Sequence, residues 1–260
     1  MNDNTSIYVI NVRLFTSPLS SPLQGEDFIL NMNQIRICTV VTGQNIDEFV
    51  RNLDTIQNIS DLIELRIDFI EDLKIDDITV IKSKTKKPAI FTCRKQEEGG
   101  HFTGTEHQRI EILKKAIETE FKYVDIEYST MQSQTFEENS NTKFIISYHN
   151  FKETPKYWEL TKLIFDMHSC NADIIKIATQ VNTDYDVQIL FRALLSKKPE
   201  DNQIIIGMGE KGKQTRILGP LLGSYLTYAS TEISETAPGQ IHIEKLKSLY
   251  KNLEEIYSES

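Results

Sequence analysis

The sequence predicts an α/β fold, a single (β/α)8 TIM barrel preceded by an N-terminal extension. Three observations predict it. From residue 33 onward eight short β-branched runs follow one another, amphipathic stretches fill the gaps between them, and several runs alternate charged with apolar side chains. Helices packed around a parallel sheet give this rhythm, and eight units make a closed barrel. A doubly wound open sheet is the alternative, but no GxGxxG motif follows the first strand.

Residues 1–32 are assigned to the extension. They lack the basic region, long apolar stretch and small-residue cleavage site of a secretory signal. Residues 17–25 are rich in Ser and Pro and read as irregular chain, and Met32 stands immediately before the first strand. Residues 33–260 form the barrel domain. Strands are expected at 35–41, 62–68, 89–94, 123–128, 143–150, 173–180, 203–209 and 226–230, with helical stretches in every gap. The stretch 106–118 places Ile110, Leu113 and Ile117 at helical spacing. The stretch 184–195 does so with Val187, Leu190, Phe191 and Leu194, so 185–195 is expected to pack against the sheet. The last stretch, 243–257, repeats Leu246, Leu249, Tyr250 and Leu253 as a closing helix would.

Composition narrows the function classes. With 39% hydrophobic and 26% charged residues, the 260-residue chain can bury a sizeable core. Its formal charge of −9 argues against nucleic acid and anionic membrane as partners, since both are gripped by clustered Lys and Arg. A small-molecule role fits better. No apolar run approaches the roughly 18 residues that span a bilayer. Cys38, Cys93 and Cys170 are far apart, odd in number and without a CxxC pair, which reads as reduced thiols in cytoplasm with neither a disulfide framework nor a zinc site.

Alternation inside the strands tells inside from outside. At 62–68, Ile63, Leu65 and Ile67 share one face and Glu64, Arg66 and Asp68 the other. The same split sets Thr92 and Arg94 against Phe91 and Cys93, Asp125 and Glu127 against Val124 and Ile126, and Ser147 and His149 against Ile146 and Tyr148. Lys176 shares a face with Ile174 and Ala178. A helix-covered face must be apolar, so the polar groups point into the barrel near the C-terminal strand ends, where enzymes of this fold react. The plain alternative for Glu64, Arg66 and Asp68 is a buried ion-pair network. Among the charges of this face, Asp68, Asp125 and Glu127 are those best suited to scaffold.

Lys176 is the candidate nucleophile. A lysine usually lays its stem on apolar surface and keeps its amine in water, an awkward arrangement in a barrel interior. Burial and cationic neighbours lower a lysine pKa; a fall from about 10.4 to near 7, at about 4 kcal/mol, leaves a useful neutral fraction to attack ketones. His149, beside the lysine strand, suits general acid–base work near neutrality. His101, His107, His168 and His242 read as solvated, without metal-ligand spacing. The segment 207–214 fits GxxxxGK after a strand, but Gln214 stands where a magnesium-holding Ser or Thr is needed and Thr215 comes one place late, so it reads as a decoy.

Several motifs in one order carry a family resemblance. Glu64-Leu65-Arg66-Ile67-Asp68, Phe91-Thr92-Cys93-Arg94 with Glu98-Gly99-Gly100, Ser147-Tyr148-His149-Asn150-Phe151, Lys176 in its strand, Met208-Gly209, Arg216, and Ala237-Pro238-Gly239-Gln240 together resemble the type I 3-dehydroquinate dehydratases over residues 35–257. The resemblance implies a hydro-lyase of the shikimate pathway, serving chorismate and aromatic amino-acid biosynthesis, that converts 3-dehydroquinate to 3-dehydroshikimate and water. It implies that Lys176 forms an imine with the C3 ketone and that His149 moves the C2 proton and protonates the departing C1 hydroxyl. It further implies that Glu98 orients His149, that Arg216 binds the substrate carboxylate, and that Glu64, Arg66, Arg94 and Gln240 hold ring hydroxyls. No metal or organic cofactor is implied, and a homodimer is. Thr236 stands where the family often has Ser, in a substrate-closing loop, and keeps a hydroxyl for binding. Tyr228 stands where Phe is expected, and the extension has no counterpart. Some members fuse this barrel to shikimate dehydrogenase; here the sequence stops just after the eighth helix.

Two other readings compete. A class I aldolase-type Schiff-base barrel shares the lysine but usually places a phosphate grip late in the barrel, where Arg216 and Gln240 suit a carboxylate and hydroxyls instead. A non-catalytic binding barrel has no use for Lys176, His149 and Glu98 together.

Overall fold

The structure, a computed structural model, describes residues 8–10, 28–30, 35–234 and 239–258. The barrel strands are β1 (Ile37–Val41), β2 (Leu62–Arg66), β3 (Ala89–Thr92), β4 (Tyr123–Glu127), β5 (Lys143–Asn150), β6 (Ile174–Gln180), β7 (Gln203–Met208) and β8 (Thr227–Ser230). Each pairs in parallel with the next from β1 to β7, and β8 pairs with β1. Among the described residues β7 and β8 share no strand ladder. The Tyr225 N–H donates to the Gln203 carbonyl at 2.7 Å, and Ile241–His242 pairs in parallel with the C-terminal end of β8. The sheet thus curls into a barrel.

The helices are α1 (Ile46–Ile56), α2 (Asp77–Lys84), α3 (Glu106–Glu118), α4 (Tyr128–Met131), α5 (Tyr157–His168), α6 (Asp184–Leu195), α7 (Lys213–Leu218) and α8 (Ile243–Ser258). Local signals start them. Asn45 accepts the Glu48 N–H ahead of α1, while Thr105 with Gln108 and Thr183 with Asp186 form reciprocal capping boxes for α3 and α6. No helix among the described residues is long and apolar enough to cross a membrane.

Two apolar layers result from strand alternation. Outside the sheet, Phe49, Leu53 and Ile56 of α1 join Ile63, Leu65, Phe91 and the corresponding residues around the barrel. Leu53 is fully buried there, and trimming it to Ala would cost about 2–5 kcal/mol. Inside, Leu62, Ile90, Tyr123, Ile145 and Ile174 fill the barrel from the strand starts. Two residues further along the same strands come Glu64, Thr92, Asp125, Ser147 and Lys176, all buried. The apolar layer is a floor, and the polar layer stands on it.

Several expectations need correction. Strand β2 ends at Arg66, where a 3-10 turn (Ile67–Phe69) begins, and β3 ends at Thr92, so Asp68 and Arg94 lie beyond the ladders that alternation assumed. The fourth gap holds only the four-residue α4, and the seventh the six-residue α7 between 3-10 turns. In α6 the buried residues are Val187, Ile189, Leu190, Ala193 and Leu194, and Phe191 is half-buried; Tyr185, in the first turn, is 66% exposed. Within the extension, Tyr8–Ile10 pairs antiparallel with Phe28–Leu30, while 17–25, expected as irregular chain, and Met32 lie outside the described residues.

Candidate active site

Lys176 stands mid-strand on β6, 5% exposed, with its side chain in the barrel. Its amine donates to Asp125 Oδ2 at 2.9 Å and to Glu64 Oε1 at 3.2 Å. Cations are expected as its neighbours from sequence, but its hydrogen-bond partners are carboxylates, because Arg94 is itself drawn onto acids. Arg94 Nη2 lies 2.7 Å from Asp125 Oδ1, and its Nη1 lies 3.3 Å from Glu127 Oε1 and donates to Ser147 Oγ at 2.6 Å. Burial opposes charge on Asp125, yet Arg94 and Lys176 outweigh it and hold the carboxyl well below the usual range. Burial likewise opposes the Arg94 charge, and Asp125 and Glu127 more than restore it.

Glu64 Oε1 also accepts from Thr92 Oγ1 at 3.0 Å and from the Tyr228 hydroxyl at 3.4 Å. The Tyr228 ring lies 4.8 Å from Lys176 Nζ, a cation–π contact. Arg66 Nε and Nη2 donate to Asp68 Oδ1 and Oδ2 at 2.8 and 2.7 Å, and Asp68 Oδ2 accepts the His101 N–H at 3.0 Å. His101 and His107 are exposed, as is His168, while His242 is half-buried.

His149, on the neighbouring strand β5, faces Glu98 from a 3-10 turn after β3 (Gln96–Glu98). Glu98 Oε2 accepts the His149 backbone N–H at 3.2 Å and lies 3.1 Å from Nδ1. Burial, then the cations of Arg94 and Lys176, push the imidazole well below its usual pKa, against the pull of Asp125. Burial pushes the Glu98 carboxyl up, with Arg94 opposing it. A neutral ring with Nδ1–H held by a carboxylate turns Nε2 into an acceptor, the form a base requires. The Phe151 ring stacks 6.5 Å from the imidazole and lies over Gly99, whose φ of 77° and lack of a Cβ let the two approach.

Arg216, in α7, is 3% exposed; it has no carboxylate partner among the described residues, and its Nε has no hydrogen-bond partner. Burial lowers its pKa to about 10. One open cleft of about 650 Å³ is lined by Glu64, Arg66, Arg94, Glu98, His149, Lys176, Arg216 and Gln240. The expected site residues are thereby brought together except Thr236, which lies outside the described residues. Asp68, Asp125 and Glu127 are not in the lining, and each is paired with an arginine.

Sequence reasoning missed two parts. Ile206 joins Met208, already among the motifs, in the apolar wall, and alternation on β7 could have shown it. Arg109 of α3, fully buried, donates to Glu127 Oε2 at 2.6 Å and to Thr130 Oγ1 at 2.6 Å. Only its spacing to Glu106, whose carboxylate it also meets, hinted at that. The GxxxxGK segment makes no phosphate cradle: Thr215 Oγ1 accepts the Gly207 N–H at 2.8 Å and donates to the Gly212 carbonyl at 2.7 Å, closing the turn on itself. Among the described residues no cluster of three or more His, Cys, Asp or Glu could hold a metal.

The model of the type I 3-dehydroquinase family matches residues 37–257. The chain belongs to that family. A 3-dehydroquinate dehydratase of Coxiella burnetii (strain CbuK_Q154) is 40% identical over 227 residues, 87% of this chain and 97% of that one. One from Methanococcus maripaludis (strain C7 / ATCC BAA-1331) is 38% identical over 220 residues, 83% of this chain and 98% of the other. The crystal structure of the Clostridium difficile type I enzyme with covalently modified comenic acid superposes with a TM-score of 0.77 at 26% identity, covering 85% of this chain and 93% of that chain. The Tyr228 hydroxyl donates to Glu64 on the lysine side of the cleft.

Proposed function

We infer that this chain is a type I 3-dehydroquinate dehydratase, eliminating water from 3-dehydroquinate through an imine on Lys176. The observation that carries the reading is one cleft presenting a buried amine, a carboxylate-held imidazole and the guanidinium of Arg216, which has no carboxylate partner among the described residues. A substrate with a ketone, an acidic neighbouring C–H and a carboxylate meets all three demands.

The Lys176 amine gives up a proton and adds to the C3 carbonyl, and that proton leaves with the carbonyl oxygen as water to give a protonated imine. His149 Nε2 takes a proton from C2, and the C–H electrons move into the iminium to give an enamine. The enamine pushes out the C1 oxygen, which leaves as water with the proton from His149. Hydrolysis then frees Lys176 and the conjugated ketone. Glu98 holds the Nδ1 side of the ring, so that the proton enters and leaves at Nε2. Arg216 meets the carboxylate as a planar fork, Glu64, Arg66, Arg94 and Gln240 hold the hydroxyls, and Thr236 keeps a hydroxyl for substrate binding.

Family resemblance supports a homodimer, which sedimentation would test, and the unpaired cysteines support a cytoplasmic setting. Addition of 3-dehydroquinate with appearance of an ultraviolet-absorbing conjugated product tests the reaction. An unchanged spectrum, with turnover of a phosphorylated aldol substrate instead, would replace it by the aldolase reading.

A further inference from the structure

The Glu98 carboxylate is held from two sides. Its Oε2 meets His149, and its Oε1 is met by groups the reaction above leaves unused. Ser129 Oγ donates to Oε1 at 3.0 Å, Lys95 Nζ lies 3.7 Å from the same oxygen, and Lys95 Nζ donates to Ser129 Oγ at 2.5 Å. Ser129 belongs to α4, on the chain leaving β4, whereas Lys95 follows β3. Two connections from different strands therefore converge on one carboxylate. The Lys95 backbone is fixed as well: its N–H donates to Glu127 Oε1 at 3.1 Å, and its carbonyl accepts from Glu98 and Gly100 at 3.1 and 2.9 Å.

We propose that Lys95 and Ser129 are positioning residues that fix the outer oxygen of Glu98 and so aim its inner oxygen at His149. The proposal rests on His149 as the base. A terminal carboxylate torsion has a broad, two-fold profile, so one contact would leave Glu98 free to rock. Lys95 and Ser129 remove that freedom from the side away from substrate. Their charge and hydrogen bond also oppose the burial that favours protonation of Glu98. The charged groups facing Glu98 are Arg94, Lys95, Glu127 and His149; those facing His149 are Arg94, Lys176, Arg66, Asp125 and Glu98. Of these, Lys95 is the cation that touches Glu98 from outside the cleft lining.

Lys95→Met, Ser129→Ala and Lys95→Arg test it. In Lys95→Met, kcat is expected to fall about three- to tenfold, with KM nearly unchanged and the acid limb of kcat moved to higher pH. Ser129→Ala should follow with a smaller change, since its hydroxyl is exposed and water can replace it, and Lys95→Arg should restore the profile. The ring nitrogens of His149, followed by nitrogen NMR against pH without substrate, should lose Nδ1–H population in Lys95→Met. Superimposable profiles and ring titrations in all variants would overturn the proposal. So would lost activity with a lowered melting temperature and an unmoved pH limb. Should the unaltered chain fail to dehydrate 3-dehydroquinate, the reaction falls, while the ring titration still decides the role of the pair.

Discussion

The Lys176 amine donates to Asp125 Oδ2 at 2.9 Å, with side chains 6% and 0% exposed. Such a pair is stabilising only while both members remain. Asp125→Asn keeps the shape but leaves Lys176 to Glu64 alone and Arg94 without its shortest acid contact, and should cost about 3–5 kcal/mol in urea unfolding at pH 7. Because the folded-state carboxyl is held below its usual value, its contribution is whole above the unfolded pKa of about 4 and is lost as pH falls through the lower folded value. The Asn variant should therefore lack that part of the acid slope. Equal stability of variant and parent at pH 7 would contradict the pairing.

Borohydride added with 3-dehydroquinate should leave a reduced adduct on Lys176, located by peptide mass. Lys176→Ala should give neither adduct nor turnover. In His149→Ala the amine remains, so trapping should persist while turnover falls by a factor on the order of 10² to 10⁴. Glu98→Gln should fall between the parent and His149→Ala. An adduct on another lysine, or normal turnover by His149→Ala, would overturn the assignment.

Burial and the cations of Arg94 and Lys176 keep His149 neutral below its usual pKa of 6.5. The acid limb of kcat/KM is expected below pH 6.5. Stability has a matching sign: the unfolded chain takes up a proton that the folded chain refuses, so this contribution is whole above 6.5 and declines as pH falls toward the folded value. A rate profile from pH 5 to 9 with its acid limb at or above 6.5 would count against a buried neutral ring.

Much of this was legible because strand period and charge coincide. Glu64, Asp125, Ser147 and Lys176 each sit two places after an inward apolar residue, so alternation alone puts them in one layer. Past the strand ends that logic stops. Asp68 faces Arg66 through a 3-10 turn, and Glu98 reaches His149 from another, which no periodicity encodes. Arg109 was hidden for a different reason: a helix pattern marks apolar residues, while a buried cation is explained only by acids distant in sequence, here Glu127.

Arg216→Lys should fold and yet bind poorly. A point-like ammonium cannot reproduce a two-pronged grip on a carboxylate, so KM should rise by the equivalent of about 2 kcal/mol or more. Unchanged KM and kcat would remove Arg216 from the site.

A chain starting at Met32 should keep both its melting temperature and its turnover, if residues 1–32 stand apart from the barrel domain as proposed. Loss of both on differential scanning and in the dehydration assay would make the extension part of the domain.

The chain of contacts from Glu64 through Lys176 and Asp125 to Arg94 and Ser147 ties β2 to the β3 end, β4, β5 and β6. It therefore acts as a lock on strand registration. Sliding β6 by a single residue would turn Lys176 outward among the apolar residues of the helical layer, leave Glu64 buried without its cation and leave Asp125 to Arg94 alone. Misaligned barrels are thus penalised electrostatically as well as by packing, and the charges that serve the chemistry also proofread the assembly of the sheet that holds them.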